Sequence, residues 1–412
     1  MTSFISENTL LAILKTKHHC EFSSIRVLDW HTDENILEAG SNYTTRVSRL
    51  TIRYRLEIGT HEDDISPLEE HFFVKVPGNA PLYELAKGWG CYVNEVTMYT
   101  EVLPQMRRIV DNQDEFFVPR HYYSDDDLSL VLEDLSQSGY KCADRIQQLD
   151  IEHCFYALRS LAKFHALSVK LETTIGLAEC VKREPIFRPE GVSEVNMAFI
   201  KSQVPVFIDS LPQNLKDRYP NMVTYFENFS CVEVLNDITD RLTSTKFNVL
   251  CHGDFWTNNI MFKYDKYGTV EDVKLIDFQY TMWSSPVRDL IHFTINSVKF
   301  DVYVKYFPLM LRIYLDTLNR VLIQLNCPKN YHMDSLLEDL DTMYPIALYV
   351  LGCVLPIGQP DPDDPIDSME PNGDVETKSV MNSTTKTDKQ KQFLDILANW
   401  FEHFAKKGTN MK

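Results

Sequence analysis

The stretch Val249–Phe262, taken with Val273–Gln279, limits this chain more than any other part of it. An apolar run, Val249-Leu250-Cys251, leads into His252-Gly253-Asp254. Asn259 follows, and a second apolar run, Ile260-Met261-Phe262, begins at once. Beyond a Tyr264-Asp265-Lys266-Tyr267-Gly268 turn, the run Val273-Lys274-Leu275-Ile276 ends in Asp277-Phe278-Gln279. Apolar runs of this length bounded by turn residues read as short buried strands. The polar groups at their ends must then converge. The loop turns back between Asp254 and Asn259 so that carboxylate and amide face one cleft, and the hairpin brings Asp277 alongside. Phosphoryl transfer needs this layout: one carboxylate facing an acceptor hydroxyl, with an amide and a second carboxylate holding magnesium on the phosphates. An isolated Asp-x-x-x-x-Asn carries little information, whereas the paired arrangement is specific.

A centre of that kind also needs a cation on the phosphates, so the upstream half is read for one. His71-Phe72-Phe73-Val74-Lys75-Val76-Pro77 is a short apolar strand interrupted by Lys75. A lysine inside a buried strand costs desolvation unless an anion meets it. The alternative is an edge strand with the lysine in solvent. Tyr92–Tyr99 has helical spacing, with Tyr92, Val96 and Tyr99 on one face and Glu95 bordering it. Taken singly, Lys75 and Glu95 are surface charges; with the Asp254 loop downstream they read as an ion pair. Before the alternating strand Leu50–Ile58 lies Glu38-Ala39-Gly40-Ser41-Asn42-Tyr43. An ordinary hairpin turn explains its one glycine, and a phosphate-covering loop through Gly40, Ser41 and Asn42 is the functional alternative. Further along, the buried strand ending Leu132-Glu133-Asp134-Leu135 sits where a two-lobed kinase has its hinge. Its extended backbone is placed to meet an adenine edge. A strand-like Phe116-Phe117-Val118-Pro119 precedes it.

From Asp150 the pattern turns helical. Ile151, Cys154, Phe155, Leu158, Leu161, Ala162 and His165 share a stripe, and His165 reads as a core histidine with one buried hydrogen bond. Helices are expected over roughly 296–325 and 335–356 and again over 392–406. Residues 359–391, rich in Pro, Asp, Ser and Thr, lack the apolar groups to offset ordering entropy and are expected to be disordered. The fold class expected is α+β: a bilobal, protein-kinase-like fold with an antiparallel-sheet N-lobe at 1–131. A hinge follows at 132–136, then a mostly helical C-lobe at 137–412.

Charge and cysteine use narrow the function. The formal net charge of −18 argues against nucleic acid and anionic membrane surfaces as partners. It also means that a nucleotide site needs local lysine and magnesium. Nine scattered cysteines, an odd number without close CxxC pairs, read as reduced thiols of an intracellular, cytoplasmic protein. No signal-peptide core opens the chain.

Three features separate the chain from protein kinases. His252-Gly253-Asp254 lacks the arginine that reads an activation-loop phosphate, Gln279 stands in place of a metal-loop glycine, and little chain separates Asp277 from Pro286 and Asp289. A small-molecule kinase fits better. At Cys251–Met261, Leu275–Gln279, Leu132–Leu135, Leu161–Ala166 and Ser285–Leu290 the sequence resembles the insect ecdysteroid kinase-like proteins. These fall within the aminoglycoside phosphotransferase and choline kinase group. The resemblance runs in order from Gly40 to about Leu355. It implies an ATP- and magnesium-dependent phosphotransferase acting on an alcohol, an ecdysteroid or a related steroid or xenobiotic. It further implies Asp254 as catalytic base, Asn259 and Asp277 as magnesium ligands, Lys75 on the phosphates, Glu95 as its partner and Asp289 as a brace of the loop. Two competing readings are a choline or ethanolamine kinase, which the acidic charge would suit, and a non-catalytic kinase-like binding protein. The second is disfavoured because Lys75, Glu95, Asp254, Asn259 and Asp277 are all present. The sequence leaves the oligomeric state open.

Overall fold

The computed structural model describes residues 5–19, 25–34, 36, 45–56, 66–78, 86–87, 90–110, 116–125, 128–177, 204–228, 247–355 and 388–408. Gly40, Ser41 and Asn42 lie outside them, as does the low-complexity segment up to residue 387.

Alternation in the N-terminal third produces sheet. Strands β1 (Ile25–Asp33), β2 (Thr45–Leu56), β3 (Leu68–Pro77), β4 (His121–Ser124) and β5 (Leu130–Glu133) form one antiparallel sheet in the order β1-β2-β3-β5-β4. Leu50, Ile52 and Tyr54 of β2 and Phe72 and Val74 of β3 are buried against Leu10, Ile13 and Leu14 of the helix Glu7–His18. That helix starts where Ser6 accepts a hydrogen bond from the Thr9 amide at 3.2 Å, an N-cap. On the strand next to β2, Val74 pairs with Val131 and Lys75 with Leu130, so the lysine sits in the middle of the sheet rather than at an edge.

The helix Cys91–Thr97 continues through a widened turn, Met98–Val102, into Leu103–Ile109. Phe116–Pro119 is buried but forms no strand. Its backbone meets the strand that ends at Leu275, where the Leu275 amide donates to the Phe117 carbonyl at 2.7 Å and the Lys274 ammonium donates to the Phe116 carbonyl. A single backbone–backbone bond is too little for a ladder.

After β5 the chain is mostly helical. Asp150 caps the helix Ile151–Ile175 by accepting from the His153 amide, and Gly176 ends it at φ +68°. That helix lies along Phe300–Gln324. Between them in sequence come β7 (Val249–Cys251) and the hairpin β8 (Ile260–Tyr264) and β9 (Val270–Leu275), the latter turned at Gly268 with φ +84°. Strand β6 (Tyr140–Cys142) joins β8, and β10 (Met282–Ser284) pairs with β7. The helix Val287–Ser297 is buried along its whole length.

Two boundaries differ from the sequence reading. The expected helix over 335–356 is three pieces, Met333–Thr342, Tyr344–Tyr349 and a wide turn Val350–Val354, because Pro345 suits only the first turn of a new helix. The last helix, Asp388–Gly408, starts inside the segment expected to be disordered. The antiparallel sheet below and the helical body above make this an α+β, protein-kinase-like fold.

Candidate active site

Asp277 follows the apolar end of β9, Asp254 and Asn259 lie between β7 and β8, and Lys75 and Glu95 lie within a strand and a helix. Strand β3 carries Lys75 through the sheet to Glu95 and Asp277, with its Nζ 2.8 Å from Glu95 Oε1 and 2.8 Å from Asp277 Oδ1. Lys75 and Glu95 are both buried. Burial by itself would lower the lysine, but the charges of Asp277 and then Glu95 outweigh it and hold Lys75 above its ordinary range. Burial also pushes Glu95 upward against the pull of Lys75, so this cation serves two carboxylates at once.

Asp254 and Asn259 close the other side. Asn259 Nδ2 donates to Asp254 Oδ2 at 2.8 Å and to the Asp254 carbonyl at 2.9 Å, across a single 3-10 turn at Thr257–Asn259. The amide nitrogen is thereby committed to Asp254. Asn259 Oδ1 and Asp277 Oδ2 are the other oxygens of these two side chains, and oxygen is the donor type that magnesium takes. Asp254 is raised to about 7, first by burial and then by the charge of Asp277; the Asn259 hydrogen bond and Arg288 oppose this. Its side chain keeps 23% of its surface open, enough to meet an acceptor group. Nearby His292 Nε2 lies 3.5 Å from Asp254 Oδ1. Burial, then Arg288, lowers His292 to about 4, so the contact is with a neutral ring at neutral pH.

The buried helix Val287–Ser297 grips the Asp254 loop from behind. Asp289 accepts from the amides of His252 and Gly253 at 2.6 and 2.9 Å. Arg288 donates to the Gly253 carbonyl at 2.9 Å, and Ser297 Oγ accepts from the Thr257 amide at 2.9 Å. Asp289 is also met by His165 Nε2 at 3.1 Å, while His165 Nδ1 meets Tyr314 Oη at 2.8 Å. His165 thus makes two buried hydrogen bonds rather than one. His165, Cys251 and Asp289 come close enough to suggest a metal cluster. Each is already used internally, the Cys251 thiol lying 3.1 Å from the Ser285 carbonyl, so the group is a brace.

Phe278 fills the joint between the two halves. It is fully buried among Tyr99, Phe164 and His252, with ring centroids 5.9, 5.4 and 4.8 Å away. His252 in turn meets the Ile276 carbonyl at 2.9 Å. Asp277 takes the left-handed backbone, φ +67°, at the start of this turn.

Where the sequence suggests a hinge, Leu132 and Glu133 end β5 and the extended run stops. Asp134 Oδ1 caps the 3-10 turn Leu135–Ser138 by accepting from the Ser136 amide, and its Oδ2 meets Arg49 Nε of β2 at 2.5 Å. The Asp134 side chain is therefore spent on the fold, and any adenine contact here falls to the backbone. The sequence reading missed Asn94, Arg288 and His292. Their one signal was a polar residue on a helix face otherwise apolar.

Residues 39–327 match the family described as ecdysteroid kinase-like. No curated protein matches the chain. Among solved structures it is similar to a Plasmodium vivax ethanolamine kinase, at 12% identity and TM-score 0.37, covering 98% of this chain and 93% of that one. A choline kinase of Streptococcus pneumoniae follows at 13% identity and TM-score 0.34, covering 82% and 98%. An aminoglycoside 2'-phosphotransferase shows 10% identity and TM-score 0.40, covering 98% and 99%.

Proposed function

The chain belongs to the ecdysteroid kinase-like family of small-molecule phosphotransferases, and from that membership we propose an ATP- and magnesium-dependent kinase for an alcohol hydroxyl. The acceptor in this reading is a bulky, largely apolar alcohol, an ecdysteroid or related steroid or xenobiotic. The observation that carries the kinase reading is Lys75 held between Glu95 and Asp277, with Asp277 near enough for its charge to act on the Asp254–Asn259 pair.

Each residue has one task. Lys75 meets the nucleotide phosphates, and Glu95 keeps it aimed. Asn259 and Asp277 hold magnesium through oxygen. The ion, when bound, neutralises charge on the transferred phosphoryl group. Asp254 orients the acceptor hydroxyl and takes its proton late. The sheet of residues 1–131 and the body of 137–412 enclose the nucleotide, with 132–136 as hinge backbone against the adenine. Gly40, Ser41 and Asn42 are assigned to the phosphate-covering loop on sequence alone.

The test is turnover of ATP by the purified protein with ecdysone, 20-hydroxyecdysone, plant phenolics, choline and ethanolamine side by side, with and without EDTA. Turnover with a steroid or xenobiotic alcohol, silenced by EDTA, is expected. Turnover with choline alone would overturn the acceptor class, and full activity in metal-free buffer would remove Asn259 and Asp277 from a metal site.

A further inference from the structure

Asn94, the residue before Glu95, holds the Asp277 loop from the helix side, and nothing above gives it a role. It lies in the helix Cys91–Thr97 and is buried. Its Nδ2 is 3.0 Å from the Gln279 carbonyl, 2.9 Å from the Thr281 carbonyl and 2.8 Å from Thr281 Oγ1. Two backbone carbonyls from one loop therefore converge on one side-chain amide. The loop also closes on itself, since Thr281 Oγ1 donates to the Phe278 carbonyl at 3.0 Å.

The opposite side of the loop is fixed as well. Gly253, at φ +85°, lies so close to the Tyr280 carbonyl that a Cβ there would sit 1.9 Å from that oxygen. The stretch from Gln279 to Thr281 is thus clasped between Asn94 and the Asp254 loop. Asp277, two residues before Gln279, holds a left-handed backbone, φ +67°, a conformation that aspartate enters more readily than most non-glycine residues. Adjacent helical residues point about 100° apart. Glu95 therefore reaches Lys75, which bridges to Asp277, while Asn94 reaches the loop backbone. One helical turn grips the carboxylate through an ion pair and its loop through an amide.

We propose that Asn94 is a positioning residue that fastens the metal-binding loop to the Glu95 helix, so that Asp277 is preset for a divalent cation. The inference rests on the kinase reading above for the identity of the cation. The latch itself is a statement about this chain's own loop. It also accounts for how the short link from Asp277 to Pro286 keeps an ordered loop without a long activation segment: the order comes from the helix. Partners that orient a metal ligand from behind commonly weigh ~10–100-fold on metal affinity.

The experiment compares wild type with Asn94→Ala and Asn94→Ser on the full chain, neither replacement being long enough to span both carbonyls. Two readings are taken: backbone hydrogen exchange over residues 277–281, and calorimetric binding of magnesium with a non-hydrolysable ATP analogue. Faster exchange in that loop, with roughly tenfold weaker metal binding, is expected. Where turnover is measured, extra magnesium should restore kcat while KM for the acceptor stays put, a pattern that general destabilisation would not give. Unchanged exchange over 277–281 in a folded variant overturns the latch. If wild-type protein binds no magnesium nucleotide at all, the kinase reading fails, and the exchange result still decides the latch. Asn94→Asp, which sets a carboxylate against two carbonyls, should open the loop further, and wild-type exchange in that variant would equally overturn it.

Discussion

Asp254 shows how burial sets chemistry at one residue. Deprotonated, it is a base; burial and the neighbouring charge of Asp277 raise it to about 7. The fraction able to accept a proton then rises through neutral pH, so kcat/KM should climb as pH rises through about 7 and level off above. Bound magnesium and phosphates add charges of their own, so this limb belongs to the free enzyme. The stability sign is opposite. A folded-state value above the ordinary carboxylate range stabilises the fold below the ordinary value, and that gain is lost as pH rises through about 7. Asp254→Asn should therefore cost ~10²–10⁴-fold in turnover while nucleotide still binds. It should also melt higher than wild type at pH 8, by a margin that shrinks towards pH 5. A pH series of turnover and thermal melts on both proteins checks it. Wild-type turnover by the variant would remove Asp254 from the chemistry.

At the scale of elements, the centre is made by two loops pressed together and each held from outside. Helix Val287–Ser297 holds the Asp254 loop through Arg288, Asp289 and Ser297. The helix Cys91–Thr97 holds the Asp277 loop. Gly253 is where the two loops touch, so a methyl there is a direct test of their seating. Gly253→Ala places Cβ 1.9 Å from the Tyr280 carbonyl and demands φ +85° of an alanine, so the loops must separate. Displacement of about 1 Å in positioned groups costs on the order of 10²-fold in rate. Turnover should fall at least that far while circular dichroism stays close to wild type. Unimpaired turnover in Gly253→Ala would mean the loops do not meet as described.

For the whole molecule, the C-terminal helix Asp388–Gly408 completes the larger core. Trp400 is fully buried, with ring centroids 5.3 Å from Phe300, 4.5 Å from Tyr303 and 5.5 Å from Phe404. Its indole nitrogen is buried without a hydrogen-bond partner among the described residues. Trp400→Ala should cost about 3–5 kcal/mol through the cavity it leaves. Trp400→Phe should cost far less, since it keeps most of the ring and removes an unsatisfied donor. Chemical denaturation of the two variants distinguishes these outcomes; equal losses would show that the indole nitrogen does find a partner. No helix among the described residues is long and apolar enough to cross a membrane.

The chain by itself determined the parts whose logic is local. Alternation fixed β2, the Tyr264–Gly268 turn fixed the β8–β9 hairpin, and residue order placed Asp254, Asn259 and Asp277 at the ends of apolar runs. Lys75 was legible because a lysine amid Phe73, Val74 and Val76 has no cheap place to go without an anion. Tertiary structure decided the rest. That Lys75 serves both Glu95 and Asp277 joins positions 202 apart in the chain, and no periodicity carries such information. Asn94 looked like any polar residue beside a glutamate until the carbonyls of Gln279 and Thr281 came to it. Asp134 looked like a hinge contact until Arg49 and the Ser136 amide claimed its carboxylate. Local pattern reports which face of an element is buried. What a buried polar group bonds to depends on which distant backbone arrives beside it, and packing alone settles that.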